Sequence, residues 1–266
     1  MSYYTRVCPS PLFPAARLRW ERVAIFFSGY SVYSCMVAVT VWNENQHERA
    51  TGPANAMYPD GIHTTLAETL TSYGHTVQTA TLDDPAHGLT ETVLAETDVL
   101  LWWSDIAHDV VSDATANRVE QAVRDGMGFI PLHSSHESKP FEALMGGTGT
   151  LRWREEGERE HVWVVEASHP ITDGLPEEFE LERAEIYGKG FDLPTPDTLV
   201  TVSWCDDGTV FPSGCCYYRD AGRIFYFQPG HETFPVYHRP VVQKLLHNAV
   251  TWAAPNEPDR PCAGQS

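Results

Sequence analysis

The sequence predicts an α/β fold built on a doubly wound, mostly parallel sheet, and three observations predict it. Apolar runs of strand length alternate with amphipathic segments of helix length through the first half of the chain. Three such runs stop at loops that carry histidine: 128–132 at His133-Ser134-Ser135-His136, 99–103 at a loop holding His108, and 224–227 at a loop holding His231. No repeat and no long linker interrupts residues 36–254, so a single domain is expected there.

The elements follow in order. Met36 opens an apolar run to Trp42, a first strand suited to burial on both faces. A polar loop spans 43–60. Gly61-Ile62-His63 then opens a helix to about residue 72, with Ile62, Leu66 and Leu70 at helical spacing. Residues 76–81 read as the second strand, 92–95 as a short helix and 98–103 as the third strand. Ser112-Asp113 caps a helix over 114–125 that Gly126 ends. Residues 127–132 form the fourth strand and 139–145 a helix. The second half is richer in strands, expected at 162–166, 180–186, 200–204, 215–218 and 223–227, before a closing helix over 240–253. Residues 255–266 are a polar tail.

Composition narrows the function. The 266 residues carry 36 acids against 18 bases, a net charge of −18, and the lysines are Lys139, Lys189 and Lys244 alone. Such a surface repels phosphates, so neither nucleic acid nor an anionic membrane is an expected partner. Acidic, lysine-poor surfaces are also those of salt-in halophiles. No run is apolar and long enough to span a bilayer. Cys8, Cys35, Cys205, Cys215, Cys216 and Cys262 show no metal-ligand spacing, which suits reduced thiols and a cytoplasmic location. On a strand, Cys215 and Cys216 point to opposite faces. Residues 1–35 differ from the rest, with four arginines and one acid. They read as a disordered extension or an over-long start, with the domain beginning at Met36.

Loops at the carboxyl ends of parallel strands build the ligand site of such sheets. Imidazoles there suit proton transfer and metal binding. Ser134 or Ser135, at a sharp strand-to-helix turn, could be a nucleophile, or simply cap the next helix. Trp102, Trp103, Trp153 and Trp204 could stack on sugar faces, though core packing is the commoner fate. Glu185 and Tyr187 follow an acidic strand. No GxGxxG follows strand one and no Walker A or HExxH is present, so no nucleotide cofactor is expected.

Several longer motifs carry a family likeness: Val39–Glu44 with His47-Glu48, Tyr58-Pro59-Asp60-Gly61-Ile62-His63, Trp102-Trp103 with His108-Asp109, Gly126-Met127-Gly128 leading to His133–His136, Arg152-Trp153-Arg154-Glu155, Glu185-Ile186-Tyr187-Gly188, and Phe225–Glu232. Together they resemble the ThuA-like family, named for trehalose utilisation, over about 36–254. The resemblance implies a class I glutamine amidotransferase-like, flavodoxin-like fold lacking the amidotransferase cysteine, and a role in the metabolism of trehalose or related keto-sugars. The resulting expectation is a sugar-metabolism enzyme working by metal-assisted isomerisation or elimination. His133, Glu185, Tyr187 and Ser134 are the candidate catalytic residues. Trp103, His63, His108 and Arg154 are the candidate substrate contacts. His133, His136 and His231 are the candidate ligands of a divalent metal, Zn most plausibly. A serine-dependent hydrolase and a non-catalytic sugar-binding or regulatory protein are the rival readings. A homo-oligomer is compatible with all of them.

Overall fold

A computed structural model of the chain describes residues 36–147, 152–188 and 192–255. The expected extension at 1–35, with its late start, and residues 256–266 of the expected tail lie outside the described residues. The strands are β1 (Ala38–Asn43), β2 (Thr76–Thr81), β3 (Val99–Trp103), β4 (Gly128–Leu132), β5 (Trp153–Val164), β6 (Glu178–Tyr187), β7 (Thr198–Cys205), β8 (Val210–Arg219) and β9 (Gly222–Phe227). The α-helices are α1 (Pro53–Met57), α2 (Ile62–Ser72), α3 (Glu91–Ala95), α4 (Asp113–Arg124), α5 (Lys139–Met145) and α6 (Pro240–Ala253).

The described strands form one sheet in the order β2-β1-β3-β4-β9-β8-β7-β5-β6. From β2 to β9 every pairing is parallel, and from β9 to β6 every pairing is antiparallel. The parallel half has the flavodoxin-like strand order, with its topological switch between β1 and β3. Its inner strands β1, β3, β4 and β9 are apolar and buried on both faces, while the edge strand β2 is polar and largely exposed. In β3, Val99, Leu101 and Trp103 join the core shared with Leu66 and Leu70 of α2 and Leu245, Leu246 and Ala249 of α6. Leu100 and Trp102 join the opposite core, with Val119 and Val123 of α4 and Phe141 of α5. Cys215 and Cys216 of β8 divide between the two cores in the same way, both free and buried.

Three elements depart from expectation, among them β8, which starts at Val210 rather than at residue 215. Helix α1 stands inside the expected polar loop 43–60; it has no acidic first turn and no basic last turn to announce it. Strand β5 starts at Trp153, well before residue 162, because its first half is an exposed, charged, irregular pairing with β6 in which the register shifts between Arg154 and Glu158. Paired backbone, not apolar periodicity, makes it a strand.

The four central parallel strands end level with one another. Asn43 is opposite Trp103, Trp103 opposite Leu132, and Leu132 opposite Phe227. The next residues, Glu44, Ser104, His133 and Gln228, therefore emerge along a single sheet edge.

Candidate active site

Each loop at that edge is tied down by its own polar residues. After β1, the Asn45 N–H donates to Asn43 Oδ1 at 3.0 Å, and Asn45 takes a left-handed conformation (φ 51°). Asn43 Nδ2 donates to Glu48 Oε1 at 2.8 Å, and the same oxygen accepts the Ile62 N–H that begins α2. After β3, both oxygens of buried Glu44 accept backbone N–H groups, Ile106 and Ala107 at 3.0 Å each, which fixes the loop bearing Asp105. After β4, Ser135 Oγ accepts the Ser104 N–H (2.9 Å) and donates to the Trp102 carbonyl (3.0 Å), binding the two loops together.

His133 occupies the turn itself, with φ 55°, a left-handed conformation that side chains with a Cβ adopt rarely. It is fully buried. Its Nδ1 donates to the Gln228 carbonyl at 2.9 Å, and its Nε2 lies 2.8 Å from Glu185 Oε2. Burial alone would depress its pKa. The ion pair with Glu185, the charge of Asp105 and the Gln228 carbonyl outweigh burial and push it up to about 9. On that shift the ring carries its proton at neutral pH, with Nδ1 hydrogen-bonded to the Gln228 carbonyl and Nε2 facing the Glu185 carboxylate as an ion pair.

Glu185 and Tyr187 reach this point from the end of β6, in the antiparallel half, and both side chains lie on the same face of the strand. The Tyr187 hydroxyl is 3.0 Å from Ser134 Oγ, and its ring lies 5.4 Å from the His133 ring. Burial raises its pKa well above the ordinary phenol value, so it stays a neutral donor. The His231 ring stands edge-on to His133 at 5.4 Å. Its Nδ1 takes the Thr233 N–H at 3.2 Å, and burial together with the His133 charge lowers its pKa, keeping it neutral.

A second cluster adjoins the first. His47 Nε2 is 3.0 Å from Asp105 Oδ2, and its Nδ1 is 3.6 Å from Glu232 Oε1. The hydrogen bond to Asp105 lifts the His47 pKa to about 9 against the effect of burial. Burial raises Glu232 to about 7, with His47 and His133 pulling the other way. Among the described residues, two groups offer ligand atoms within 4.8 Å of one another: His133, Glu185 and His231, and His47, Asp105 and Glu232.

The structure thus brings together His133, His231, Glu185, Tyr187 and Ser134. It leaves His136 outside both groups, which corrects the expected ligand set of His133, His136 and His231. The His136 ring packs edge-on against Tyr187 (5.7 Å) and Tyr226 (6.0 Å), and burial and the His133 charge depress its pKa to about 3. Trp103 cannot stack on a substrate: it is fully buried, and its indole N–H donates to the Gly230 carbonyl at 3.0 Å. Trp102 is likewise buried, stacked on Trp42 at 3.8 Å. Arg154 pairs across the sheet with Ile186, the face opposite to Glu185 and Tyr187, and its guanidinium is held by Glu158 and Asp207. His108 Nδ1 sits 3.1 Å from Ser104 Oγ, beside the Ser135 tether. His63 contacts Asn43 Nδ2 at 3.1 Å and lines a polar cleft of about 400 Å³ with Asn45, Glu48, Arg49, Asn55 and Asp60. A cleft of about 420 Å³ lined by Met127, Ala221 and Arg223, which precede or open β4 and β9, lies at the opposite, amino-terminal edge of the sheet, away from this chemistry. Asp105 and Glu232 are site acids that the sequence does not single out. Their one signal is position, two residues after β3 for Asp105 and directly after the Gly230-His231 turn for Glu232.

Comparison with known proteins agrees with this fold. The family model ThuA, described as trehalose utilisation, matches residues 38–253. Among solved structures, a protein described as ThuA-like from Bacteroides uniformis superposes with a TM-score of 0.62 at 17% identity, covering 85% of this chain and 95% of that one. A ThuA-like protein from Parabacteroides merdae gives 0.62 at 15% identity, covering 82% and 90%. A cytoplasmic protein from Salmonella typhimurium gives 0.56 at 14% identity, covering 82% and 99%. No curated protein matches the chain. Among the described residues no helix is long and apolar enough to cross a membrane.

Proposed function

The chain belongs to the ThuA, or trehalose utilisation, family, and from that premise we propose that it is a sugar-metabolism enzyme that abstracts a proton next to the carbonyl of a trehalose-related keto-sugar, leading to isomerisation or elimination. The observation that carries this reading is the buried His133–Glu185 ion pair, 2.8 Å apart, with the Tyr187 phenol alongside. Proton abstraction of this kind needs a base and a fixed positive or hydrogen-bonding group where charge develops on oxygen. Glu185 supplies the carboxylate. The His133 imidazolium and the neutral Tyr187 hydroxyl supply the complementary partners, already oriented by Gln228 and Ser134. The polar cleft at His63 suits the hydroxyl-rich remainder of a disaccharide. The description of the Salmonella neighbour as cytoplasmic supports the same location here.

A serine hydrolase fits less well. Ser135 is consumed by the Ser104 N–H and the Trp102 carbonyl, and Ser134 meets the Tyr187 hydroxyl rather than an imidazole. Incubating the protein with trehalose and 3-keto-trehalose in deuterium oxide tests the proposal. Deuterium should enter beside the carbonyl of the keto-sugar, and Glu185→Gln should slow this by roughly 100-fold or more. Binding of the keto-sugar with no exchange at all would instead identify a non-catalytic sugar-binding protein.

A further inference from the structure

We propose that His47, Asp105 and Glu232 form a divalent-cation site at the switch between β1 and β3, separate from the His133–Glu185 pair. The inference rests on the keto-sugar reading and supplies its cofactor. The three residues come from three loops, after β1, β3 and β9, and each offers a ligand atom within 4.8 Å of the others. One imidazole and two carboxylates form a donor set that suits a divalent first-row ion such as Zn or Mn.

Three features mark this group as a cation site, and two of them, charge and access, separate it from the neighbouring His133, Glu185 and His231. The first is charge. The His47 cluster faces three carboxyl groups, Glu44, Asp105 and Glu232, with one imidazole among them. The other group sets a single carboxylate, Glu185, against two imidazoles, His133 and His231, so it offers a cation less negative charge. The second is an unmade bond. Glu232 is 4% exposed, yet its Oε2 has no hydrogen-bond partner; the nearby His231 Nδ1 is 3.6 Å away. A buried carboxylate oxygen left in this way costs free energy that a cation would recover. The third is access. The side chains of His47 and Asp105 are 26% and 23% exposed, whereas His133 is wholly enclosed. An ion must enter and keep some of its waters.

Supporting residues hold the ligands from behind. Glu44 anchors the Asp105 loop through Ile106 and Ala107, and the Asn43–Glu48 bond brackets the turn that presents His47. A cation bound here would supply polarisation of a substrate oxygen next to the Glu185 base.

The test is to strip the full-length protein with chelator and titrate it with manganese chloride, counting free Mn by its EPR signal. The wild type and Glu185→Gln should each bind roughly one ion per chain, and Asp105→Asn and His47→Gln should each bind on the order of 100-fold more weakly, with unchanged circular dichroism. An ion that is lost in Glu185→Gln and kept in Asp105→Asn and His47→Gln would overturn the site. So would a wild type that exchanges deuterium into keto-sugar at full rate with no metal bound; that result leaves the Glu185 reading standing. Binding as expected without any exchange would leave the site standing and remove the keto-sugar reading.

Discussion

At the scale of single residues, burial sets the chemistry. Tyr187 and His133 stand in contact, one kept neutral and the other kept charged, because burial acts on both while Glu185 compensates only His133. Removing the hydroxyl should therefore cost catalysis rather than stability: Tyr187→Phe is expected to lower kcat by about 100-fold with KM little changed. A steady-state comparison checks this, and an unaltered kcat would remove Tyr187 from the mechanism. Glu160 of β5 is a separate case. It is fully enclosed, and burial, opposed by Ser203 and by the His133 charge, raises its pKa to about 8. Because the folded state holds this proton more tightly than the unfolded chain, the group stabilises the fold below the ordinary carboxylate pKa. That stability is lost as pH rises through about 8. Between roughly pH 6 and pH 9 both proteins lose stability as His47, His133 and Glu232 give up their protons, but Glu160→Gln should lose several degrees less than the wild type. Parallel melting curves for the two proteins would refute the assignment.

At the scale of elements, what could be read in the sequence is what two-sided burial, β-branched residues between turns, or helical periodicity writes into it. Strands β2, β3 and β4 and helix α6 fall at or within a residue of the expected limits, because their residues answer to one local pattern. The first half of β5 was illegible: Trp153 to Arg159 alternates little between apolar and polar, and its partners on β6, from Tyr187 for Trp153 to Ala184 for Glu158, are distant along the chain. The site divides in the same way. His133 and His231 announced themselves by standing where strands stop. Glu185 was visible only as an acid on an acidic strand, and its meeting with His133 depends on the antiparallel half folding back beside β9. His136 carried the same sequence signal as His133, yet it turns toward Tyr226. Asp105 and Glu232 could not be told from solvated acids until the three loops were level. The β9 loop depends on one glycine. A Cβ on Gly230 would lie 2.0 Å from the Tyr237 hydroxyl oxygen and 3.3 Å from His133 Cβ. Gly230→Ala must shift the turn that carries His231 and Glu232. A stability loss of about 1–3 kcal/mol is expected, with turnover falling further than stability alone accounts for. Denaturant melts alongside the deuterium-exchange rate measure both, and wild-type values for either would show that the turn has slack.

At the scale of the whole molecule, charge is the main force that the site leaves unused. From residue 36 onward the chain carries 35 acids against 14 bases. Some acids are paired, as Asp113 is with Lys139 and Asp220 with Arg124, but the excess has no partner of opposite sign available. The folded state brings these charges closer than the unfolded chain does, so self-repulsion lowers stability at low ionic strength. The Debye length falls from about 10 Å at 0.1 M salt to about 3 Å at 1 M, which spans the spacing of surface carboxylates. The melting temperature should therefore rise by several degrees as potassium chloride goes from roughly 0.05 to 1 M. The shape of that rise matters as much as its size. Screening is nearly complete by about 1 M, so a charge-driven gain flattens there, whereas exclusion of salt from apolar surface goes on growing with concentration. A curve that climbs and then levels marks a fold adapted to high salt through its acidic surface. A flat curve from the lowest salt upward would show instead that the acids are spaced widely enough not to repel, and that the lysine-poor composition has no bearing on stability.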